Sequence, residues 1–290
     1  MGAGDAVWCG FEAHLAVECV GEGRYTGRCV AGRDDRVFGG HLVAHAIVIA
    51  CSESAADFVP LSLHAHFLAA ASSQLPIDYQ VLVLRRGRTF EHWRIDAMQG
   101  GRLVLTSTVA LHRPETSPQH SAVRPADDDP LTLPTITNFP RAGTSTQIRE
   151  GLDIRRGEHW QEGEATPYQH IWYRCVEKLP DDPVLRYAIL AWITDLELTW
   201  TVDLPYREGV VSRVGASLDH VIYFHRELDP CQWWLYDQAS PTLGAGRGLS
   251  TGRMFGADGA LGASVNQLSL LRLERRQGAD GKGNGQVHAD

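Results

Sequence analysis

The stretch Arg36-Val37-Phe38-Gly39-Gly40-His41-Leu42-Val43-Ala44-His45-Ala46-Ile47-Val48-Ile49-Ala50-Cys51 decides how the rest of the chain is read. Two glycines open it, and from Gly40 to about Ala56 apolar residues lie nearly all round a helical projection. A helix with no polar face belongs inside a fold rather than on its surface. Four strand-like runs follow near residues 61–68, 77–86, 89–99 and 102–112, divided by Gly-rich turns. The same order returns later, with a second apolar helix from about Val184 to Leu198 and runs near 217–226, 232–240, 246–255 and 260–273. Gly87, Arg88, Arg94, Gly100 and Arg113 recur 159 residues on as Gly246, Arg247, Arg253, Gly259 and Arg272. The repeat predicts an α+β fold made twice, two antiparallel sheets each wrapped around a buried helix.

The two units need a connection, and residues 114–165 supply one. Half of the fourteen prolines lie between Pro114 and Pro167, beside the acidic run Asp127-Asp128-Asp129 and little hydrophobic periodicity. The predicted organisation is a first unit at 1–113, this linker, a second unit at 166–274, and a Gly-rich polar tail at 275–290 expected to lack order. At 290 residues, 43% of them hydrophobic, the chain is long enough to bury about three quarters of its unfolded surface without a disulfide or metal. Its 27 Lys and Arg against 35 Asp and Glu give a net charge of -8, which argues against nucleic acid as the main partner. No apolar run approaches the roughly 20 residues of a membrane span, and the first residues lack the pattern of a signal peptide. The expectation is a cytoplasmic protein with no membrane partner. Six cysteines are scattered with no C-x-x-C pair, which predicts reduced thiols and neither a metal nor a cofactor.

Three polar residues fall where burial is expected. Asp195 comes late in the second apolar helix, on the face of Ala188, Ala191 and Trp192, so its carboxylate points inward. A buried carboxylate has a raised pKa, in the range useful to a general base. Gln267 shares a strand face with Leu261, Ala263 and Val265, and its amide both donates and accepts. Ser217, placed at the opening of a strand, offers a third hydrogen bond. Spacing alone serves a catalytic trio and an inert buried polar network equally well.

Other motifs are weaker. Gly248-Leu249-Ser250-Thr251-Gly252 fits a nucleophile elbow, but Arg253-Met254-Phe255-Gly256 after it reads as strand, where the elbow requires a helix. His41 and His45 are four apart on the first helix, and His64 and His66 share a strand face. Leu42 replaces the glutamate of a zinc-binding H-E-x-x-H, so satisfied buried histidines are the better reading. Gly244-Ala245-Gly246-Arg247-Gly248 lacks the strand–helix setting of a dinucleotide loop and reads as a hairpin.

Six stretches taken together resemble one known family. They are Arg36-Val37-Phe38-Gly39-Gly40, His64-Ala65-His66-Phe67-Leu68, Arg85-Arg86-Gly87-Arg88-Thr89-Phe90 with Gln99-Gly100, Ile193-Thr194-Asp195-Leu196, Ala216-Ser217-Leu218-Asp219-His220-Val221-Ile222-Tyr223-Phe224-His225-Arg226, and Ala263-Ser264-Val265-Asn266-Gln267. In this order, over roughly residues 25–113 and 165–273, they resemble the acyl-CoA thioesterase II family, whose fold is a double hotdog. The resemblance implies a hydrolase acting on acyl-CoA or acyl carrier protein, within fatty acid metabolism, in which Asp195, Ser217 and Gln267 position the attacking water. For such chemistry the helix start offers free N–H groups at Gly39 and Gly40 to polarise the thioester, with His41 beside them; a simple tight turn is the alternative reading of the two glycines. Arg85, Arg86 and Arg88 would meet the coenzyme A phosphates or an acidic carrier protein; a solvated hairpin tip explains them equally. The chain departs from the family at Ala69-Ala70-Ala71-Ser72, where an arginine, a proline and a glycine are usual, and at His41, where glutamine is common. Those changes, with Trp192, Trp200, Trp233 and Trp234, suit a specialised or bulky acyl group. Two alternatives stand beside hydrolysis: acyl transfer or cyclisation on the same scaffold, and acyl-thioester binding without turnover. Sheet-to-sheet assembly into a homodimer is expected.

Overall fold

A computed structural model of the protein describes residues 8–32, 35–136, 147–206 and 210–275. The first half runs α1 (Phe11–His14), β1 (Glu18–Gly21), β2 (Arg24–Gly27), α2 (Gly39–Ser52), β3 (Val59–Phe67), β4 (Ile77–Arg86), β5 (Phe90–Gln99) and β6 (Arg102–His112). The second half runs β7 (Leu152–His159), β8 (Tyr168–Cys175), α3 (Pro183–Thr194), α4 (Leu198–Thr201), β9 (Val210–Ser217), β10 (Asp219–Phe224), β11 (Trp234–Gly244), β12 (Arg247–Phe255) and β13 (Leu261–Arg275).

The two expected sheets run into one. Thirteen strands form a continuous antiparallel sheet in the order β1-β2-β4-β5-β6-β3-β10-β13-β12-β11-β8-β7, with β9 also paired to β13. Each half contributes six strands to that path, and the order reads equivalently from either end. The seam is the pairing of β3 with β10, where Leu63 lies opposite Ile222 and His66 opposite Asp219. Alternation along the strands sends one set of side chains inward. Leu63, Ala65, Trp93, Ile95, Ala97, Val109 and Leu111 are buried, while His64 and His66 face out.

That inner face encloses α2 and α3, which pack against one another. They run antiparallel: Gly40 abuts the Trp192 carbonyl at one end, and Cys51 feels the charge of Asp182 at the other. A Cβ on Gly40 would stand 2.7 Å from that carbonyl oxygen, so the crossing requires glycine. Eight of the nine residues from Val43 to Cys51 are apolar and nearly all are buried, as a helix without a polar face demands.

The periodicity located eight of the thirteen strands and missed β1, β2, β7, β8 and β9. Both apolar helices stop early. In α2 the hydroxyls of Ser52 and Ser54 bond back to the carbonyls of Ile49 and Ala50, so the helix ends at Ser52 rather than Ala56. α3 ends at Thr194, Asp195 caps the helix, and Glu197 takes a left-handed φ of 61° before the separate turn α4. The stretch 114–165 also holds β7, which pairs with β8 at the sheet edge, as well as short 3-10 turns at Pro130–Thr132 and Gln147–Arg149. The glycines at 244–248 form the predicted hairpin, with Ala245 and Gly246 at positive φ. From residue 276 the expected tail lies outside the described residues.

Candidate active site at the junction of the two halves

Asp195, Ser217 and Gln267 come together, tied by one amide. Gln267 Nε2 donates to Asp195 Oδ1 at 2.8 Å and to Ser217 Oγ at 2.6 Å. Gln267 is fully buried on β13, whereas Asp195 and Ser217 keep partial solvent access. Ser217 does not open a strand as the sequence suggested: it is the last residue of β9, opposite Ser269 on β13. The long final strand carries β9 at one end and β10 at the other, which puts Ser217 beside Gln267 at the changeover. Thr199 Oγ1 lies 3.2 Å from Ser217 Oγ and also contacts Ser269, so it supports the serine from α4.

Asp195 is held from the first half as well. Its carboxylate accepts the backbone N–H of Gly40 at the start of α2. A Cβ on Gly39 would stand 2.9 Å from Asp195 Oδ2 and 3.0 Å from the Phe67 ring, so Gly39 leaves the carboxylate room. The first turn of a helix has N–H groups without intrahelical acceptors and carries partial positive charge. The pair of glycines therefore serves the carboxylate directly, Gly40 through its N–H and Gly39 through the clearance it leaves. Burial raises the Asp195 carboxyl to about 7, and the hydrogen bonds from Gln267 and Gly40 oppose the rise. Near neutral pH such a group is basic enough to take a proton and still substantially ionised.

The surroundings fix these groups. Tyr236 Oη donates to the Thr194 carbonyl at 2.7 Å, and Gln238 Nε2 to the Leu196 carbonyl at 3.1 Å, which clamps the chain on both sides of Asp195. Arg149 bridges to Glu197 at 2.9 Å, beside the left-handed turn. Strained backbone next to a reactive group is a recurrent feature of functional sites. Trp192 is fully buried against Phe11, Phe38 and His41 and donates to the Ile148 carbonyl, so it is core rather than an aromatic pocket. The other cap differs. Glu53, at the matching end of α2, accepts from Tyr25 at 2.8 Å and pairs with Arg86, so it lacks the Gln–Ser partners of Asp195.

Three residues suggested for substrate binding are not beside Asp195. Arg85 and Arg88 are exposed on the β4–β5 hairpin, whose Arg86 bonds to the Glu53 carbonyl beyond the C-terminus of α2. A helix of 14 residues separates that end from Gly39 by about 20 Å. His41 is fully buried with both ring nitrogens engaged, Nδ1 by Val30 N–H at 3.0 Å and Nε2 by the His14 carbonyl at 2.6 Å. Its partner His45 stands 3.0 Å away and reaches Tyr79 Oη at 2.7 Å, with the Cys29 thiol 3.8 Å from each of the last two. Cys29, His41 and His45 have the ligand types of a metal site, yet His45 turns Nε2 to His41 and Nδ1 to Cys29. Tetrahedral zinc needs donors converging on one point at about 2 Å, which that arrangement does not offer. Burial keeps both rings neutral, with His45 lowered to about 4 and His41 lowered well below its ordinary value, in part by the neighbouring His45. His64 and His66 are on the opposite face of the sheet, and Ser250 of the elbow-like motif is buried in the middle of β12.

Thr199 was not singled out from the sequence, and the Gly40 N–H was assigned to the thioester rather than to Asp195. The glycine pair carried a usable signal, because two glycines at a helix start permit close approach. Thr199 carried none, since its role depends on the turn after Glu197.

The fold and the site both have counterparts among known proteins. A family model described as acyl-CoA thioesterase matches residues 145–270, and one described as the acyl-CoA thioesterase N-terminal domain matches residues 31–112. Acyl-CoA thioesterase 2 of Haemophilus influenzae is 29% identical over 253 residues, covering 82% of this chain and 88% of that protein. The crystal structure of an acyl-CoA thioesterase II from Mycobacterium marinum superposes with a TM-score of 0.79 at 30% identity, covering 91% of this chain and 99% of that one. A protein with hot dog fold from Alicyclobacillus acidocaldarius, 23% identical over 90% of this chain and 97% of its own, has a TM-score of 0.75 and supports the fold alone. With both halves matched in order and a solved relative covered almost end to end, the chain belongs to the acyl-CoA thioesterase II family of double hotdog thioester hydrolases.

Proposed function

We propose that the protein hydrolyses acyl-CoA thioesters with a water activated by Asp195 and held by Gln267 and Ser217. One observation carries the assignment of residues: a single amide nitrogen binds both a carboxylate of raised pKa and a hydroxyl, where the start of α2 from one half meets the end of α3 from the other. In this mechanism Asp195 takes a proton from water as the oxygen attacks the thioester carbonyl. The negative charge that develops on the carbonyl oxygen faces the Gly39 N–H at the start of α2. Collapse of the tetrahedral intermediate breaks the carbon–sulfur bond, and the proton on Asp195 passes to the departing thiolate. The carboxylic acid product then ionises. Because a thiolate leaves readily, no strong general acid is required.

Free thiol release from acyl-CoAs of graded length, aromatic ones included, tests this with wild type and Asp195→Asn side by side. Turnover that collapses in the variant supports Asp195 as the base. Equal thiol release from both proteins would place the chemistry elsewhere. The same panel on an acyl carrier protein distinguishes the two carriers, and product analysis distinguishes hydrolysis from acyl transfer.

A further inference from the structure

Asp195 is reached by only one face of the Gln267 amide, and the other face is unaccounted for. With Nε2 committed to Asp195 and Ser217, Gln267 Oε1 is buried and makes no well-formed hydrogen bond. An amide side chain turned over by 180° would direct that oxygen at the carboxylate and remove both donations. Something must select the productive orientation.

The neighbouring strand supplies a candidate. Val221 on β10 pairs with Asn266 on β13, so one step along the antiparallel ladder His220 lies opposite Gln267. Side chains directly opposite on one face have Cβ atoms about 5 Å apart. His220 is fully buried, and its Nδ1, like Gln267 Oε1, is a buried polar atom with no hydrogen-bond partner among the described residues. Its Nε2 lies 2.9 Å from Thr194 Oγ1. The Thr194 hydroxyl has a second acceptor in reach, the Ala191 carbonyl at 2.7 Å, and its single proton serves one of the two. When it serves the ring, Nε2 accepts and the ring proton sits on Nδ1, facing Gln267 Oε1.

We propose that His220, held as its Nδ1–H tautomer by Thr194, is a positioning residue that fixes the Gln267 amide with its NH2 toward Asp195 and Ser217. It touches neither the water nor the thioester. The relay links the seam strand β10 to the base through Thr194, the residue before Asp195, and through Gln267. The role rests on the assignment of Asp195, Ser217 and Gln267 made above. The ring remains a neutral donor because burial depresses its pKa to about 3. Around it stand Thr194 on α3, Gln267 on β13 and, beyond the amide, Asp195; Ala65 opposite it on β3 brings no charge.

His220→Leu removes the Nδ1–H donor, whereas His220→Asn places an amide N–H near the same position. The expected result for His220→Leu is a kcat lower by about 10- to 100-fold with KM changed little. Its kcat/KM–pH profile should also move upward on the acid side, because a turned amide no longer stabilises the Asp195 carboxylate. His220→Asn should recover most of the rate and the wild-type profile. In a Gln267→Ala background, His220→Leu should cause no further loss. Two results overturn the proposal: His220→Leu keeping the wild-type rate and profile, or Leu and Asn variants of wild-type thermal stability losing rate equally with no change in profile. Asp195→Asn in the same assay keeps the two levels apart. If that variant is inactive while His220→Leu is normal, the site stands and the positioning role fails; if it is fully active, both fail.

Discussion

A Cβ on Gly39 would stand 2.9 Å from Asp195 Oδ2, and that clearance joins the first half of the chain to the second. Gly39→Ala should therefore displace the carboxylate or close the path to it. The helix start itself tolerates alanine, so folding should be nearly unaffected. The expected outcome is a kcat/KM reduced by about 10-fold or more, with a thermal midpoint within a few degrees of wild type. A steady-state assay beside a melting curve checks it.

The Asp195 carboxyl, raised to about 7, must be ionised to act as a base. Activity should rise with pH through the neutral range and level off above it. Any apparent pKa near that of an ordinary aspartate, 3.8, would contradict the assignment. The measurement is kcat/KM from pH 5 to 9 on a substrate stable over that range.

Gln267 and Ser217 should not be equal in effect. Gln267→Ala strips Asp195 and Ser217 of a shared donor and should lower kcat by about 10²- to 10³-fold, as loss of a preorganised donor does elsewhere. Ser217→Ala leaves Gln267 bound to Asp195, with Thr199 still nearby, and should cost about 10-fold. Single-turnover rates for both variants, with a Ser217→Thr control that keeps the hydroxyl, separate the two contributions.

Buried groups also set the pH dependence of stability. His45, lowered to about 4, His220, lowered to about 3, and His41, lowered well below its ordinary value, bind protons in the unfolded chain below their usual 6.5 but not in the native one. Asp195 does the reverse between 3.8 and about 7, where the native state holds its proton. Three unfolded-state protons against one native-state proton leave a net excess of two in the unfolded chain near pH 5.5. Stability should fall as pH drops from 6.5 toward 4, by roughly 2–3 kcal/mol per pH unit where that excess holds. In Asp195→Asn the opposing proton is gone, so the fall should be steeper. Urea midpoints at pH 5 and 7 for both proteins give the sign directly.

The double construction was legible because its cause is local. Apolar residues all round Val43–Ala50 and Leu185–Ile193 leave a helix no stable place except the interior, and period-two alternation in runs such as Phe90–Gln99 marks strands with one wet face. Asp195 and Gln267 stood out for the same reason, as polar groups in segments that had to be buried. The edge strands β1, β2 and β7 were not legible, since four to eight residues at a sheet margin carry little pattern. The position of Ser217 was misread because only the register of β13, shared between β9 and β10, shows which strand it ends.

By itself, then, the amino-acid order determined which segments are helix and strand, which faces are buried, and that one half repeats the other. Those properties follow from periodicity and burial over a few turns of chain. Tertiary structure decided that the two sheets fuse through β3 and β10, that Arg85 and Arg88 sit at the far end of α2, and that His41 belongs to a buried histidine pair. It also decided that Gly40 serves Asp195, across more than 150 residues of sequence. Contacts of that kind depend on how packed layers are oriented, and no short-range pattern encodes the orientation of two helices that meet only after both sheets have closed around them.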